Sequence, residues 1–160
     1  MRSADQPPAR QKPPSTEPLG PALEFLRTLW AVDHGLARLS TRMKRTIGAT
    51  GPQRLAIRLI GRTRGIGPAE LANLLHVHRS AATGIVQRLE ARGLLTREVH
   101  PRDSRRLLLF LTPAGQKVDR NDRGTIEARV RQVLANSSAE ETTAAVRVLD
   151  RLAGALAVED

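Results

Sequence analysis

The chain has no cysteine and no tyrosine, and its only aromatic residues are Phe25, Trp30 and Phe110. Without cysteine there is no disulfide, thiolate zinc site, iron–sulfur cluster, cysteine nucleophile or thiol-based oxidant switch. With so few rings, a core has to be built from Leu, Ile, Val and Ala, which favours packed helices over an aromatic-rich β-sandwich. No apolar run approaches the roughly 18–20 residues needed to span a bilayer, and the N-terminus lacks the apolar stretch of a signal peptide. The expectation is a cytoplasmic chain without membrane contact. Lysine is scarce as well: Lys12, Lys44 and Lys117 stand among 26 basic residues, and the rest are Arg.

Those arginines dominate a formal net charge of +10. Residues 52–112 carry eleven Arg against four acids, whereas residues 113–160 are close to neutral. A basic centre between near-neutral flanks is the footprint of a nucleic-acid-binding module on a scaffold. Arginine suits that role because its planar fork pairs bidentately with phosphate and with guanine edges.

Residues 1–18 hold five prolines and no large apolar residue except Met1, so they read as a disordered Pro-rich arm that buries too little to offset its ordering entropy. A first helix opens near Pro21, with Leu23, Leu26, Trp30, Leu36 and Leu39 near helical spacing, and ends in Arg42, Lys44 and Arg45. Pro52 sits in the first turn of a second helix, which stops around Gly61–Gly65. Gly67-Pro68-Ala69-Glu70 reads as N-cap to N3 of a short third helix. After the tight connection His76-Val77-His78, a fourth helix runs from Arg79 to Arg92, where Gly93 stops it. The period then changes: residues 94–100 and 106–111 read as strands around the turn Pro101-Arg102-Asp103-Ser104. Thr112-Pro113 opens one long helix to about Ala135, and Ser137 with Glu140, or Ser138 with Glu141, offers a capping box for a last helix. The predicted order is α-α-α-α-β-β-α-α, mainly α with a small β-hairpin.

Two short helices joined by a tight turn and followed by a hairpin describe a winged helix-turn-helix. The second helix offers Arg79, Ser80, Thr83, Gln87 and Arg88 toward a major groove, where Gln pairs with adenine, Arg with guanine, and small residues allow close approach. The hairpin tip carries Arg102, Arg105 and Arg106, with Asp103 placed to brace one of them. Arginine at such a tip suits the deep negative potential of a narrow minor groove.

The blocks Glu70-Leu71-Ala72, Leu75, Val77 and Arg88-Leu89-Glu90-Ala91-Arg92-Gly93-Leu94-Leu95 resemble the core of MarR-type transcriptional regulators. The wing Pro101-Arg102-Asp103-Ser104-Arg105-Arg106, followed by Leu111-Thr112-Pro113-Ala114-Gly115, completes the resemblance over about residues 66–115. It implies a winged helix-turn-helix embedded in a helical dimerisation scaffold. Residues 19–50 and 113–160 would form the scaffold and residues 51–112 the DNA-binding domain. It further implies a homodimer on a palindromic operator in double-stranded DNA, acting as a transcriptional repressor, with Arg105 entering the minor groove. His78 stands where a Ser-like cap is usual, so capping of the recognition helix is expected to be weaker. Gly84 stands where a larger residue is common, which shifts base readout onto Ser80, Thr83 and Gln87.

Regulators that resemble this one often hold a small anionic or aromatic ligand. Trp30, His34 and Arg38, at i, i+4 and i+8 of the first helix, offer a stacking plate, a proton switch and an anion clamp for such an effector. The plainer reading makes Trp30 a packing residue, His34 interfacial and Arg38 a surface charge. No cofactor is expected, and His76-x-His78 without further ligands defines no metal site. The chain shows no Ser-His-Asp or Lys-based constellation and no phosphate-binding glycine loop, which argues against an enzyme. The alternative is an architectural duplex-binding protein without sequence preference.

Overall fold

The computed structural model describes residues 19–157. The arm expected at 1–18 lies outside them. The chain divides into a unit ending at Asp33 and a second beginning at His34.

Seven helices and one antiparallel hairpin are present among the described residues. They are α1 (Pro21–Thr46), α2 (Gly51–Arg62), α3 (Pro68–Leu74), α4 (Arg79–Ala91), β1 (Leu95–His100), β2 (Asp103–Leu111), α5 (Pro113–Arg120), α6 (Ile126–Leu134) and α7 (Ala139–Leu156). The mainly helical class with a small hairpin is therefore as expected. None of the described helices is long and apolar enough to cross a membrane.

Caps explain most of the boundaries. Thr50 caps α2 in a full capping box with Gln53, so the helix begins one residue before Pro52. Gly67 caps α3 through its backbone alone, with Pro68 in the first turn. Of the two boxes open at α7, Ser138 with Glu141 forms: the Ser138 N–H donates to Glu141 Oε2 at 2.7 Å, and Ser138 Oγ accepts from the Glu141 N–H at 3.1 Å. The backbone bond and then the side-chain bond to Ser138 hold the Glu141 carboxyl below its usual range. A carboxylate with a lowered folded-state pKa contributes stability that is present above its unfolded pKa and is lost as pH falls through the lowered value. Melts of wild type and Glu141→Ala should therefore differ at neutral pH and converge in acid. A difference that does not change with pH would count against the cap.

One expected element is corrected. The single helix from Thr112-Pro113 to Ala135 is two helices, α5 and α6. Asn121 Oδ1 accepts from the Arg123 N–H at 3.3 Å, Gly124 turns left-handed at φ 70°, and buried Thr125 caps α6 through the Ala128 N–H at 3.2 Å. An Asx turn, a residue with positive φ and a fresh N-cap in succession end one helix and start another. The hairpin turn is also tighter than expected: β2 reaches back to Asp103, which pairs with His100 across Pro101-Arg102, with a register shift between Val99 and His100.

The core of the second unit joins α2 (Ala56, Ile57, Ile60), α3 (Leu71), α4 (Ile85, Val86, Leu89) and the base of the hairpin (Leu95, Leu109). Ile66 adds a third short strand piece, its carbonyl accepting from the Leu109 N–H at 3.0 Å. Each fully buried Ile, Leu or Val is worth roughly 1.5–3 kcal/mol. Burial falls off along the hairpin: Leu95 and Leu109 are buried at its base, whereas residues 101–107 are exposed. The base is thus anchored and the tip projects.

Candidate nucleic-acid interface

Helix α4 buries Ala82, Ile85, Val86 and Leu89, which turns Arg79, Ser80, Thr83, Gln87 and Arg88 to solvent. Its 3.6-residue period alone accounts for that division. His78 caps the helix through its ring: Nδ1 accepts from the Ser80 N–H at 3.4 Å and lies 2.9 Å from Ser80 Oγ. The Ser80 hydroxyl is thereby engaged with the His78 ring. The Thr83 hydroxyl donates to the Arg79 carbonyl at 2.8 Å, so what Thr83 presents outward is its methyl group, the shape that meets a thymine methyl. Gln87 is exposed. Arg88 reaches back over Gly84, its guanidinium 3.5 Å from where a Gly84 Cβ would sit. The turn into α4 is tight enough to hold His76 at φ 51°, a conformation uncommon for a residue with a side chain.

The hairpin places Arg102, Arg105 and Arg106 at its exposed tip. Strand alternation sends Arg105 and Arg106 to opposite faces, so one duplex groove cannot receive both in the same way. Asp103 Oδ1 accepts from the Arg105 backbone N–H at 3.1 Å. It therefore shapes the tip backbone, where the sequence pointed to bracing of a guanidinium. His100 Nδ1 makes the matching bond, accepting from the Arg102 N–H at 3.2 Å. Arg97 on β1 pairs with Glu90 on α4 at 2.6 Å, which ties the hairpin to α4. Sequence reasoning missed these two contacts, and nothing in the residue spacing marks them.

Beside α4 lies an open cleft of about 880 Å³. Val77, Ala81 and Ile85 give it an apolar side, and Lys44, Arg88 and Arg92 put cations on it. Arg92 donates to the Gly48 carbonyl, which fixes one wall. Trp30, His34 and Arg38 are all exposed, Trp30 at 65%. Among the described residues there is no group of three or more His, Cys, Asp or Glu side chains able to hold a metal ion.

An ion pair with a buried arginine and a part-exposed glutamate sits behind the interface. Arg54 is 1% exposed, donates from Nε to Glu127 Oε1 at 2.5 Å, and donates through its terminal nitrogens to the carbonyls of Val118 and Asp119, the latter at 2.9 Å. Arg58 adds bonds to the Asp119 carbonyl at 3.0 Å and to its carboxylate at 2.9 Å. Asp122 next to this group is held below the usual carboxylate range, first by the hydrogen bond from Arg131 and then by the Arg131 charge. The sequence did carry a signal for Arg54, which stands in helical register with buried Ile57.

The sequence model of the MarR family matches residues 49–107, which span the helix-turn-helix and most of the hairpin. An uncharacterized HTH-type transcriptional regulator of Bacillus subtilis, YdgJ, is 30% identical over 87 residues, 54% of this chain. The match spans about half of that relative, 53% of its length. Among solved structures, a probable transcriptional regulator from Pseudomonas aeruginosa is 30% identical with a TM-score of 0.63, covering 83% of this chain and 97% of that one. The PcaV transcriptional regulator from Streptomyces coelicolor, solved with its natural ligand, is 27% identical with a TM-score of 0.65, covering 86% and 94%.

Proposed function

This chain belongs to the MarR family, whose members are transcriptional regulators and not enzymes, and from that premise we propose that it is a homodimeric, sequence-specific repressor on a palindromic operator. Residues 51–112 serve as the DNA-binding domain, and residues 19–50 and 113–160 as the dimerising segments. The observation that carries the DNA reading is the exposed polar stripe of α4 together with the three arginines of the hairpin tip, both built on one core. Arg79, Ser80, Thr83, Gln87 and Arg88 meet the major groove. Arg102 and Arg106 meet phosphate, and Arg105 the minor groove. The proposed dimer would seat on two half-sites one helical turn apart.

Dimerisation is supported by the apolar side chains that a single chain leaves in water. Trp30 on α1, Val133 on α6 and Leu156 on α7 are 65%, 65% and 74% exposed. Soluble monomers rarely leave large apolar patches uncovered. Light scattering at micromolar concentration should give twice the 17.5 kDa chain mass; a monomer there would overturn the architecture.

An effector is part of the same reading. The cleft beside α4 combines apolar walls with three cations, which suits a small anionic aromatic molecule, and Ala81 and Arg88 line it from the recognition helix. Trp30, His34 and Arg38 are the second place for such a ligand. PcaV, solved with its natural ligand, supports looking for one.

Selection of bound duplexes from a random pool tests the DNA reading, and a recovered palindrome is the expected result. Arg105→Ala should then weaken binding to selected and random duplex alike, by about 1–3 kcal/mol, while Gln87→Ala relaxes choice at one base position. Equal losses on both duplexes for Gln87→Ala would remove its base-reading role. If no consensus emerges and binding fades smoothly with salt, the chain is an architectural duplex-binding protein instead.

A further inference from the structure

A second recess, of about 290 Å³, lies at the base of the hairpin rather than at its tip. Arg64 and Arg120 line it, together with Gln116, the half-buried Phe110, Gly61 and Asp119. We infer that this recess is a binding site for a small oxyanion, a phosphate ester or a carboxylate, gripped between Arg64 and Arg120.

Three observations carry the inference. Neither guanidinium has a carboxylate partner within salt-bridge distance among the described residues, whereas Arg54, Arg58, Arg97 and Arg131 each have one. Two uncommitted guanidiniums facing a common recess repel each other unless an anion lies between them, and each offers an oxyanion a fork of donors. Secondly, the negative groups that would oppose an anion are engaged except Asp119 Oδ2, which faces Gly61. Asp119 Oδ1 is held by Arg58 at 2.9 Å, and the Val118 and Asp119 carbonyls, the negative end of the α5 dipole, accept from Arg54 and Arg58. Thirdly, glycine keeps the recess open: a Cβ on Gly61 would come within 2.9 Å of Asp119 Oδ2 and 3.2 Å of the Leu111 side chain.

The site is distinct from the DNA-facing surface. Phe110 and the tip residue Arg102 are separated by nearly the whole of β2, about 25 Å of strand. An anion at the base therefore does not compete with duplex for the tip. It touches the end of α2, the end of α5 and the base of the hairpin. The inference does not depend on the DNA reading.

The test is a titration of the full-length chain with inorganic phosphate and, separately, with benzoate, read by backbone amide shifts. Saturable shifts at Gly61, Phe110 and Gln116 are expected. Arg64→Ala and Arg120→Ala, both exposed and therefore safe for folding, should each weaken binding about tenfold, as loss of one charged hydrogen-bond donor implies. Arg151→Ala on α7 should leave it unchanged. Saturation by phosphate alone assigns phosphate esters, and by benzoate alone carboxylates. No saturation with either anion, shifts confined to residues 102–106, or affinity indifferent to both substitutions would overturn the site.

Discussion

Gly115→Ala is expected to destabilise the protein by about 3 kcal/mol or more, the upper range for forcing an extra carbon into a packed site. Gly115 is buried in the first turn of α5, pressed against the backbone of Leu94 at the start of the hairpin. A Cβ there would run into the Leu94 carbonyl oxygen, and would lie 3.0 Å from the carbonyl carbon and 3.4 Å from Leu111 Cβ. Backbone cannot swing aside as a side-chain tip does. The same Leu94 carbonyl accepts from the Thr112 N–H at 3.2 Å, Thr112 Oγ1 donates to the Gly93 carbonyl at 2.6 Å, and the Gly115 N–H donates to Thr112 Oγ1 at 3.1 Å. Moving Gly115 outward therefore breaks the knot that closes the hairpin and starts the helix. Urea unfolding at fixed protomer concentration measures the cost, since the midpoint of the proposed dimer would shift with concentration. A loss below about 1 kcal/mol would mean that this contact relaxes freely. The result would also explain why Thr112-Pro113-Ala114-Gly115 reads as a unit: each residue serves the same corner.

The second large effect is expected at Arg54. Glu127→Ala should cost about 3 kcal/mol, because it strands a charge that is 1% exposed. Arg54→Met should cost less, because the Val118 carbonyl keeps the Asn121 N–H at 3.2 Å, the Asp119 carbonyl keeps Arg58, and the unpaired Glu127 is 29% exposed. Combining Arg54→Met with Glu127→Met should restore most of the Glu127→Ala loss, since no charge is stranded and both carbonyls keep a donor. A double-mutant cycle by urea unfolding separates the two contributions. If Glu127→Ala costs under about 1 kcal/mol, the pair is decoration and the break between α5 and α6 is held by its own turn. The pair joins α2, which shares a core with α4, to α6 on the proposed dimerising side.

What local chemistry dictates was legible without coordinates. The Pro68 start, the Gly93 stop, the apolar stripe of α4 and the change of period into the hairpin are short-range signals, and each lies where the structure has it. The Thr50–Gln53 box and the Asn121–Thr125 break were equally local. Gly48, Gly51 and Pro52 around Thr50 mask the box, and the apolar spacing of 118–134 carries through a break that its turn residues mark.

By itself, the sequence determined the winged helix-turn-helix, the exposed face of α4 and the arginines at the wing tip, because period, caps and turn residues act within a few positions of one another. Only the tertiary structure decided that Asp103 shapes backbone instead of bracing a guanidinium. It likewise decided that Arg54 is buried on Glu127 while Arg64 and Arg120 stand uncommitted around a recess. The two members of such a contact lie up to 73 positions apart, and their meeting depends on how helices pack rather than on any spacing along the chain.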